Sequence, residues 1–480
     1  MSRRFALPLA ALALLAAAPG ARAQGPQKDP PAPGPLRPFA MPPIRSFALP
    51  NGLKVMVVER HAVPIVTARL VVDAGAAREP SNQAGLAALT GALLSEGTRT
   101  LTGTQFQERL DALGAQFGTG ASYDFASVSV TALKARFPEA LALAMTTVTE
   151  PAFAQADFDR VRTRSVAQYL QGQSSVEGLS ATAFRRAVYE AASPYARPAG
   201  GTRTTLTALT RDDVAQWHRT SYAPGSSTLL IVGDVSLAEA RTAATRALGG
   251  WTAVAPAAAP APAGTRAVPG TRVVLVDRPG SVQSGIYVGQ GGVGYADPDY
   301  LPMVGLSQVL GGGFRARINM NLRERHGWTY GAFTSLAPAR GTGTFAISSS
   351  VRTNVTDSAV AEAVKEYRRI AAEPVPAQEL RDGLNNLVGS FPSTVQTVQG
   401  LLGRMQTVLL YGLPLDYYAT YRERLAALTP ADISGIAHKR LTPDAVTIVV
   451  AGDLSKIEPG IRALNLGAVE VWSPEGEKVR

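Results

Sequence analysis

The sequence SYAPGSSTLLIVGDVS at residues 221–236 decides the fold, because the chain repeats its pattern near the other end. The second copy, LTPDAVTIVVAGDLS at residues 441–455, has the same order of a proline-containing turn, an apolar strand and a Gly-Asp pair. The two Gly-Asp pairs begin at Gly233 and Gly452, which is an offset of 219 residues.

A nearly constant offset extends the repeat across both halves of the chain. Ala68–Gly75 corresponds to Gly285–Gly292, 217 residues later, and duplication of one unit predicts such agreement between distant features. In each half, short β-branched strands precede a helix, another strand, two helices and a last strand. Because strands and helices are grouped instead of alternating, we expect an α+β fold made of two homologous α/β-sandwich halves.

The last helix of each half carries the same start signal. Thr210 is followed three residues later by Asp213, and Thr429 is followed three residues later by Asp432. This spacing is a variant of the capping box, so both helices are predicted to begin at these threonines.

Residues 1–23 have the pattern of a secretory signal peptide. Arg3 and Arg4 precede an apolar run that ends in the small-residue cleavage motif Ala21-Arg22-Ala23. The apolar run is too short to cross a bilayer, although an uncleaved anchor is the alternative. No later stretch has 18 consecutive apolar residues, so we expect no membrane span after signal cleavage and a periplasmic or secreted protein.

Two linkers divide the remaining chain. Residues 24–43 are rich in proline and predict an extended tether, and the Ala/Pro-rich residues 253–269 predict a second linker. The predicted domains are therefore residues 44–252 and residues 270–480.

Composition argues against several classes of function. The chain has 480 residues, of which 46% are hydrophobic and 18% are charged, which is enough for two substantial cores. The absence of cysteine removes thiol chemistry and thiolate ligands. The net charge is +10, or +7 without Arg3, Arg4 and Arg22, and it is spread along the chain, so we expect no nucleic-acid binding.

Short motifs in both halves occur in the order of a known family. They are Asn51-Gly52-Leu53, Val72-Asp73-Ala74-Gly75-Ala76, Gly85-Leu86-Ala87, Ser193-Pro194-Tyr195-Ala196-Arg197-Pro198, Leu322-Arg323-Glu324 and Gly327-Trp328-Thr329-Tyr330. With this order and spacing the chain resembles the pitrilysin/insulinase family of zinc peptidases (inverzincins, mitochondrial-processing-peptidase-like), over roughly residues 47–464. The resemblance implies that the two halves form one side of a clamshell around a chamber that traps an unfolded peptide.

The zinc motif that the resemblance implies is missing from this chain. Family peptidases carry H-x-x-E-H on a helix, where the two His bind the metal and the Glu polarises a water molecule. Here the motif reads ALTGA, with Ala88 and Ala92 at the ligand positions and Gly91 at the base position. The family's third ligand, a Glu, aligns with Gln168, whose amide is a poor zinc ligand. We therefore expect no metal and no catalytic residue in this chain, and zinc in a partner subunit.

The second half retains the residues that hold substrate in the family. Arg323 and Tyr330 have the spacing of the family's Arg–Tyr pair, which the resemblance places opposite the zinc, near the scissile bond of the peptide. The alternative is that Arg323 pairs with Glu324 and that Tyr330 begins a strand. Gly311-Gly312-Gly313 precede the helix that carries Arg323, and they form either a substrate-recognition loop or a helix end and turn.

The sequence therefore predicts the non-catalytic, substrate-binding subunit of a heterodimeric periplasmic zinc metallopeptidase, such as the bacterial members that lack H-x-x-E-H. The expected partners are a homologous catalytic subunit that carries H-x-x-E-H and peptide substrates. The alternative is a structural or peptide-binding pseudopeptidase with no part in catalysis. An independent hydrolase is disfavoured, because the chain has no G-x-S-x-G and no recognisable nucleophile–base set.

Overall fold

The computed structural model describes residues 40–256 and 264–480. The expected signal peptide, most of the expected tether and the middle of the second linker lie outside the described residues. Within the described residues, no helix has both the length and the apolar composition that a membrane crossing requires.

Each half of the chain contributes one six-stranded mixed sheet. The first sheet, in the order β1-β2-β6-β3-β5-β4, consists of β1 (Arg45–Ala48), β2 (Lys54–Glu59), β3 (Ile65–Val72), β4 (Gln116–Ala121), β5 (Ala126–Leu133) and β6 (Ser227–Gly233). The second sheet, in the order β12-β7-β11-β8-β10-β9, consists of β7 (Arg272–Asp277), β8 (Gln283–Gly291), β9 (Ala332–Ala337), β10 (Thr344–Arg352), β11 (Thr447–Gly452) and β12 (Ala468–Trp472).

Helices pack around both sheets. In the first half they are α1 (Leu86–Leu93), α2 (Gly103–Ala112), α3 (Phe137–Thr149), α4 (Gln155–Gln173), α5 (Val176–Val188), α6 (Arg203–Ala208), α7 (Arg211–Ser221) and α8 (Leu237–Leu248). In the second half they are α9 (Tyr300–Gly311), α10 (Arg317–Asn319), α11 (Thr356–Ala372), α12 (Ala377–Thr394), α13 (Val398–Leu410), α14 (Tyr421–Ala426), α15 (Pro430–Arg440) and α16 (Leu454–Ala463). The short α10 continues directly into a π-helical segment, Met320–Arg325.

The two sheets confirm the α+β fold class with two homologous halves. The strands before the Gly-Asp pairs, β6 and β11, lie inside their sheets, each between one parallel and one antiparallel neighbour. The halves differ at one edge, because β1 pairs antiparallel with β2 whereas β12 pairs parallel with β7. Every residue of β6 and of β11 is buried, as expected for strands covered on both faces.

The second face of each sheet is covered by a helix from the opposite half. Helix α5 of the first half packs against β7, β8 and β11 of the second sheet, and α13 of the second half packs against β3 and β6 of the first. Phe184 of α5 is buried, and its ring stacks on Tyr287 of β8 with a centroid distance of 5.1 Å. The two halves therefore share core surface in both directions.

Both predicted capping boxes are confirmed. The Asp213 backbone N–H donates to Thr210 Oγ1 (3.2 Å), and the Thr210 N–H donates to the Asp213 carboxylate (2.8 Å). Thr429 and Asp432 form the same two bonds with the same distances. Each box satisfies backbone donors that have no partner inside the helix.

Other expectations need correction. The strand expected after the first helix of the first half was predicted for residues 122–131. These residues form a turn followed by β5, and β5 pairs with a strand, β4, that the pattern did not predict. Strand β9 and helices α5 and α13 were also missed. The sequence of β4, QFGTGA, has a single β-branched residue and two glycines, and it lacks the apolar alternation that marks a strand.

We predict that Phe184→Ala lowers the free energy of unfolding by about 3–5 kcal/mol, because it opens a cavity between α5 and the second sheet. Chemical denaturation followed by circular dichroism measures this change. The control is Leu170→Ala, an exposed position on α4, which is expected to change the free energy of unfolding by less than about 0.5 kcal/mol. Equal effects of the two variants would show that α5 does not join the halves.

Candidate functional site

Three of the four positions of the missing zinc site lie together. Ala88 and Ala92 of α1 and Gln168 of α4 line one cleft with a volume of about 360 Å³. The remaining lining residues are also uncharged: Leu89, Ser165, Tyr169, Gly172, Gln173, Gly178, Thr182, Pro198, Gly200, Gly201 and Leu206. The cleft thus offers hydroxyl and amide groups, but no carboxylate or imidazole that would hold a divalent metal.

Gly91, the fourth position, faces strand β4 instead of the cleft. A Cβ atom at this position would lie 2.8 Å from the carbonyl carbon of Gly120 and 3.1 Å from the amide nitrogen of Ala121. Helix α1 and β4 therefore approach so closely that only glycine fits between their backbones. The glutamate that the family carries here has no room unless α1 or β4 moves.

The histidines do not converge on a second metal site. Among the described residues, no group of three or more His, Asp or Glu side chains could hold a metal ion. Each imidazole has a separate local contact: His61 with Asp234 (2.6 Å), His218 with the Val148 carbonyl (2.9 Å), His326 stacked on Trp328, and His438 with the Ser434 carbonyl (2.7 Å). Burial lowers the pKa of His218 to about 4, which keeps this ring neutral.

The buried carboxyl group of Glu79 holds the start of the helix that forms one wall of the cleft. Its two oxygens accept hydrogen bonds from the backbone N–H groups of Gly85 (3.1 Å) and Ala87 (2.6 Å). Glycine at the N-cap of α1 supplies no side-chain cap, so Glu79 takes over this role from a distance in sequence. Burial raises the pKa of Glu79 to about 7, and the two N–H donors oppose this shift.

Arg323 and Tyr330 lie on the surface of the second half. Arg323 Nη1 bonds Glu324 Oε1 at 2.7 Å, and the guanidinium also lies over the Phe314 ring, 4.9 Å from its centroid. Tyr330 is 92% exposed and lies in the loop before β9, which begins at Ala332. The ion pair of the alternative interpretation is thus present, whereas the other part of that alternative differs from the structure, because β9 begins two residues after Tyr330.

Backbone hydrogen bonds tie the Tyr330 loop to the Arg323 helix. The Gly327 N–H donates to the Arg323 carbonyl (2.9 Å), and the Trp328 N–H donates to the Leu322 carbonyl (3.0 Å). Arg323 itself lies in the π-helical segment Met320–Arg325, a conformation that is often found at functional sites. These bonds hold the turn between the two residues in one conformation.

The exposed Phe314 ring lies against Arg323, and the exposed Phe333 ring lies against Phe314. We define the aromatic–arginine patch as Phe314, Met320, Arg323, Tyr330 and Phe333. The rings of Phe314 and Phe333 meet edge to face with centroids 5.6 Å apart, and all four apolar members are exposed. Sequence analysis missed both phenylalanines. The signal that could have indicated an exposed Phe314 was its position directly after three glycines, where a turn normally carries polar residues.

The three glycines have different surroundings. A Cβ at Gly311 would lie 2.4 Å from the Thr334 amide nitrogen, and a Cβ at Gly312 would lie 2.3 Å from Gln308 Oε1. A Cβ at Gly313 would meet nothing within 4 Å. Gly311 and Gly312 therefore allow the close packing of the end of α9, and only Gly313 is unconstrained by its neighbours.

Arg317 has a structural contact. Its Nε and Nη2 atoms bond the two oxygens of Glu379 at 2.7 and 2.8 Å, in a bidentate pair that joins α10 to α12. This pair fixes the base of the helix that carries Arg323.

The Pro-Tyr motif of the first half joins the two halves. Tyr195 Oη donates to Asp124 Oδ1 and accepts a bond from the Arg340 backbone N–H (3.2 Å). Arg340 of the second half also bonds Asp73 Oδ1 (2.8 Å), and Tyr411 Oη donates to Asp124 Oδ2 (3.1 Å). The motif that suggested the family thus forms a polar network across the interface between the halves.

Two homologous α+β halves with a neutral cleft at the metal position define a zinc-peptidase fold without zinc ligands. Residues 54–195 match the profile described as Insulinase (Peptidase family M16), and residues 208–387 match the profile described as Peptidase M16 inactive domain. Together these matches span more than half of the chain. The chain belongs to peptidase family M16 and lacks the residues of that family's zinc motif.

Relatives resemble this chain over most of its length. A protein of Helicobacter pylori named non-peptidase homolog YmxG is 22% identical over 85% of this chain and 94% of its own length. An uncharacterized zinc protease of Streptomyces coelicolor is 23% identical over 82% of this chain and 86% of its own length.

Solved structures agree with this architecture. A peptidase M16 inactive domain from Pseudomonas fluorescens superposes with a TM-score of 0.79 at 26% identity, and covers 85% of this chain and 98% of its own. A protease from Helicobacter pylori superposes with a TM-score of 0.79 at 18% identity over 86% of this chain and 100% of its own, which shows the fold alone.

We predict that Gly91→Ala lowers the free energy of unfolding by about 1–3 kcal/mol, because the new Cβ forces α1 away from β4. The matched control is Gly172→Ala, on a helix that lines the same cleft, where a Cβ would meet nothing within 4 Å. This control is expected to raise the free energy of unfolding by up to about 1 kcal/mol through helix propensity. Thermal and urea denaturation measure both, and a neutral Gly91→Ala would contradict the close approach.

We predict that Glu79 makes the protein less stable as the pH rises. Its carboxyl stays protonated up to about pH 7 in the folded state but loses its proton near its ordinary pKa of 4.5 in the unfolded chain. Its stabilising contribution is therefore full below pH 4.5 and is lost as the pH rises to about 7, a loss of about 3 kcal/mol. Urea denaturation at intervals across this range measures the slope.

Glu79→Gln should remove this part of the pH dependence, although it loses one of the two bonds to α1. Glu108→Gln, which replaces an exposed glutamate, should leave the slope as in the wild type. An unchanged slope in Glu79→Gln would show that Glu79 ionises at its ordinary pKa.

Proposed function

We propose that this chain is the non-catalytic, substrate-binding subunit of a heterodimeric periplasmic zinc metallopeptidase. The observation that carries the proposal is the contrast between the halves. The first half has no group that binds zinc at the motif, whereas the second half exposes Arg323 and Tyr330. A partner that carries H-x-x-E-H would supply the metal and its water, and this chain would hold the peptide opposite them.

The first half supports a non-catalytic role on steric as well as chemical grounds. Ala88, Ala92 and Gln168 offer neither imidazole nor carboxylate to a metal. The backbone contact at Gly91 also excludes the general base from its family position. Activity in a peptidase complex then requires a second chain.

The second half supports a role in binding peptide. A guanidinium presents planar, permanently charged donors that can bond the carbonyl oxygens of an extended peptide. A phenol that is almost fully exposed can donate its hydroxyl to an oxyanion as charge develops there. The bonds from Gly327 and Trp328 keep both groups on one rigid turn.

The relatives are consistent with a division of roles in this family. One is named a non-peptidase homolog and others are named zinc proteases, so proteins of both descriptions resemble this chain over most of its length. The predicted signal peptide supports a periplasmic location for the complex.

A specific observation favours the alternative, a pseudopeptidase that takes no part in catalysis. Arg323 already has a carboxylate partner in Glu324 at 2.7 Å, with both side chains partly exposed. A peptide would have to compete with this ion pair. Exposed ion pairs contribute only about 0–1 kcal/mol, however, so the competition is weak.

We predict that the purified chain holds no stoichiometric zinc and cleaves no peptide, and that it restores cleavage when mixed with an exported homologue that carries H-x-x-E-H. Arg323→Ala and Tyr330→Phe in this chain should each lower kcat/KM of the mixture by about tenfold or more, because each removes one hydrogen bond to the peptide or oxyanion. Metal analysis and a quenched fluorescent peptide measure the two quantities.

Arg246→Ala, which removes an exposed arginine on α8 of the first half, is the control and should leave the rate unchanged. Analytical ultracentrifugation checks that each variant still binds the partner. Full rates for both site variants in an intact complex would exclude the role of the pair and favour the alternative. Bound zinc in the single chain, or cleavage by it alone, would exclude both.

A further inference from the structure

We propose that the aromatic–arginine patch selects peptides in which a large apolar side chain is flanked by carboxylates. This inference rests on the proposed function, because it names the substrate class of the surface that carries Arg323 and Tyr330. Three features of the patch point to this class: its apolar exposure, its fixed geometry and its charge.

Apolar exposure is concentrated in the segment that carries the patch, and two of its exposed rings, Phe314 and Phe333, are in contact. Eleven large hydrophobic side chains are exposed among the described residues, and four of them lie between residues 314 and 333. Phe314 is 59% exposed although its ring contacts both Phe333 and Arg323. Clustered exposure of this kind marks a binding surface, whereas single exposed apolar residues need no explanation.

A buried side chain fixes the backbone that carries the patch. Asn319 is fully buried, and its side chain donates to the Phe314 carbonyl (2.8 Å) and accepts from the Ala332 N–H (3.0 Å). Asn319 thus fixes the backbone at Phe314 and at Ala332, which precedes Phe333. The Phe333 ring lies over Gly331, where a Cβ would be 2.6 Å from a ring carbon. Rigid aromatic anchors of this kind bind with little loss of conformational entropy.

The segment that carries the patch, residues 314–333, contains four arginines and one glutamate. One of these arginines, Arg317, is paired with Glu379 of α12. Arg315 follows Phe314 and Arg325 lies two residues after Arg323 along the chain; both are exposed, and neither takes part in an ion pair within residues 40–256 and 264–480. The only carboxylate in this stretch, Glu324, is bound to Arg323. A ligand with carboxylates on either side of an apolar residue would therefore complement both the rings and the guanidinium groups.

Fluorescence anisotropy of labelled peptides with the purified full chain, without partner, tests this inference. The probe is a Gly/Ser peptide with a central Phe flanked by two Glu, compared with peptides in which Ser replaces the Phe or Lys replaces both Glu. We expect each change to weaken binding about tenfold or more. Raising the salt from about 0.1 M to about 1 M, which shortens the Debye length from about 10 Å to about 3 Å, should weaken the Glu-flanked peptide most.

Variants of this chain test separately the preference for the apolar side chain and the preference for carboxylates. Phe314→Ala should weaken binding of the probe about tenfold, and Arg315→Gln with Arg325→Gln should remove the preference for Glu over Lys. Val282→Ala, which removes an exposed apolar side chain elsewhere on the second half, is the matched control and should bind as the wild type. All of these positions are on the surface, so the variants should fold, and circular dichroism checks this.

Equal binding of all three peptides, no binding, or probe binding unchanged by Phe314→Ala would each overturn the inference. Self-association that Phe314→Ala abolishes, without peptide binding, would also overturn it and identify the patch as an interface between copies. These outcomes are independent of the cleavage assay with the partner. Reduced rates for Arg323→Ala and Tyr330→Phe without any Glu–Phe preference would leave the proposed function standing and exclude only the substrate class.

Discussion

The burial of α5 against the sheet of the opposite half is the contact on which the rest of the structure depends. The apolar face of α5, which includes Phe184, covers one face of the second sheet. Gly178 and Thr182 of the same helix line the neutral cleft of the first half. Glu177 of the same helix accepts a bond from the Ser350 hydroxyl, and the Ser350 carbonyl accepts one from Thr329, next to Tyr330. The cleft and the exposed tyrosine are thus attached to one shared helix.

The two halves are similar in fold but carry different chemistry. In the first half the metal position is filled by small or neutral side chains, and the general-base position is closed by the Gly91–Gly120 contact. In the second half the aromatic–arginine patch exposes aromatic and basic side chains, and buried Asn319 holds the backbone at Phe314 and Ala332. A site that binds a peptide without cleaving it needs only an exposed surface such as the patch. The contrast between the halves is therefore the basis for proposing that a second chain carries out the catalysis.

Sequence patterns predicted the features that depend on local interactions. The capping boxes of α7 and α15 and the buried strands before the Gly-Asp pairs were placed correctly, because a hydroxyl–carboxylate spacing and a continuous apolar run act within a few residues. Helices α5 and α13 were missed, because nothing local shows that an ordinary amphipathic helix covers the other half's sheet. Strands β4 and β9 were missed because small and polar residues make up much of both.

The sequence by itself determined the duplication and the absence of the H-x-x-E-H motif, because residue identity alone decides whether the side chains at these positions can bind a metal. Only the tertiary structure decided that Ala88, Ala92 and Gln168 share a cleft, that Gly91 has no space for a side chain, and that the patch around Arg323 is exposed. These facts concern groups that are distant along the chain. Their distances and exposure depend on how helices and sheets pack, which no local pattern specifies.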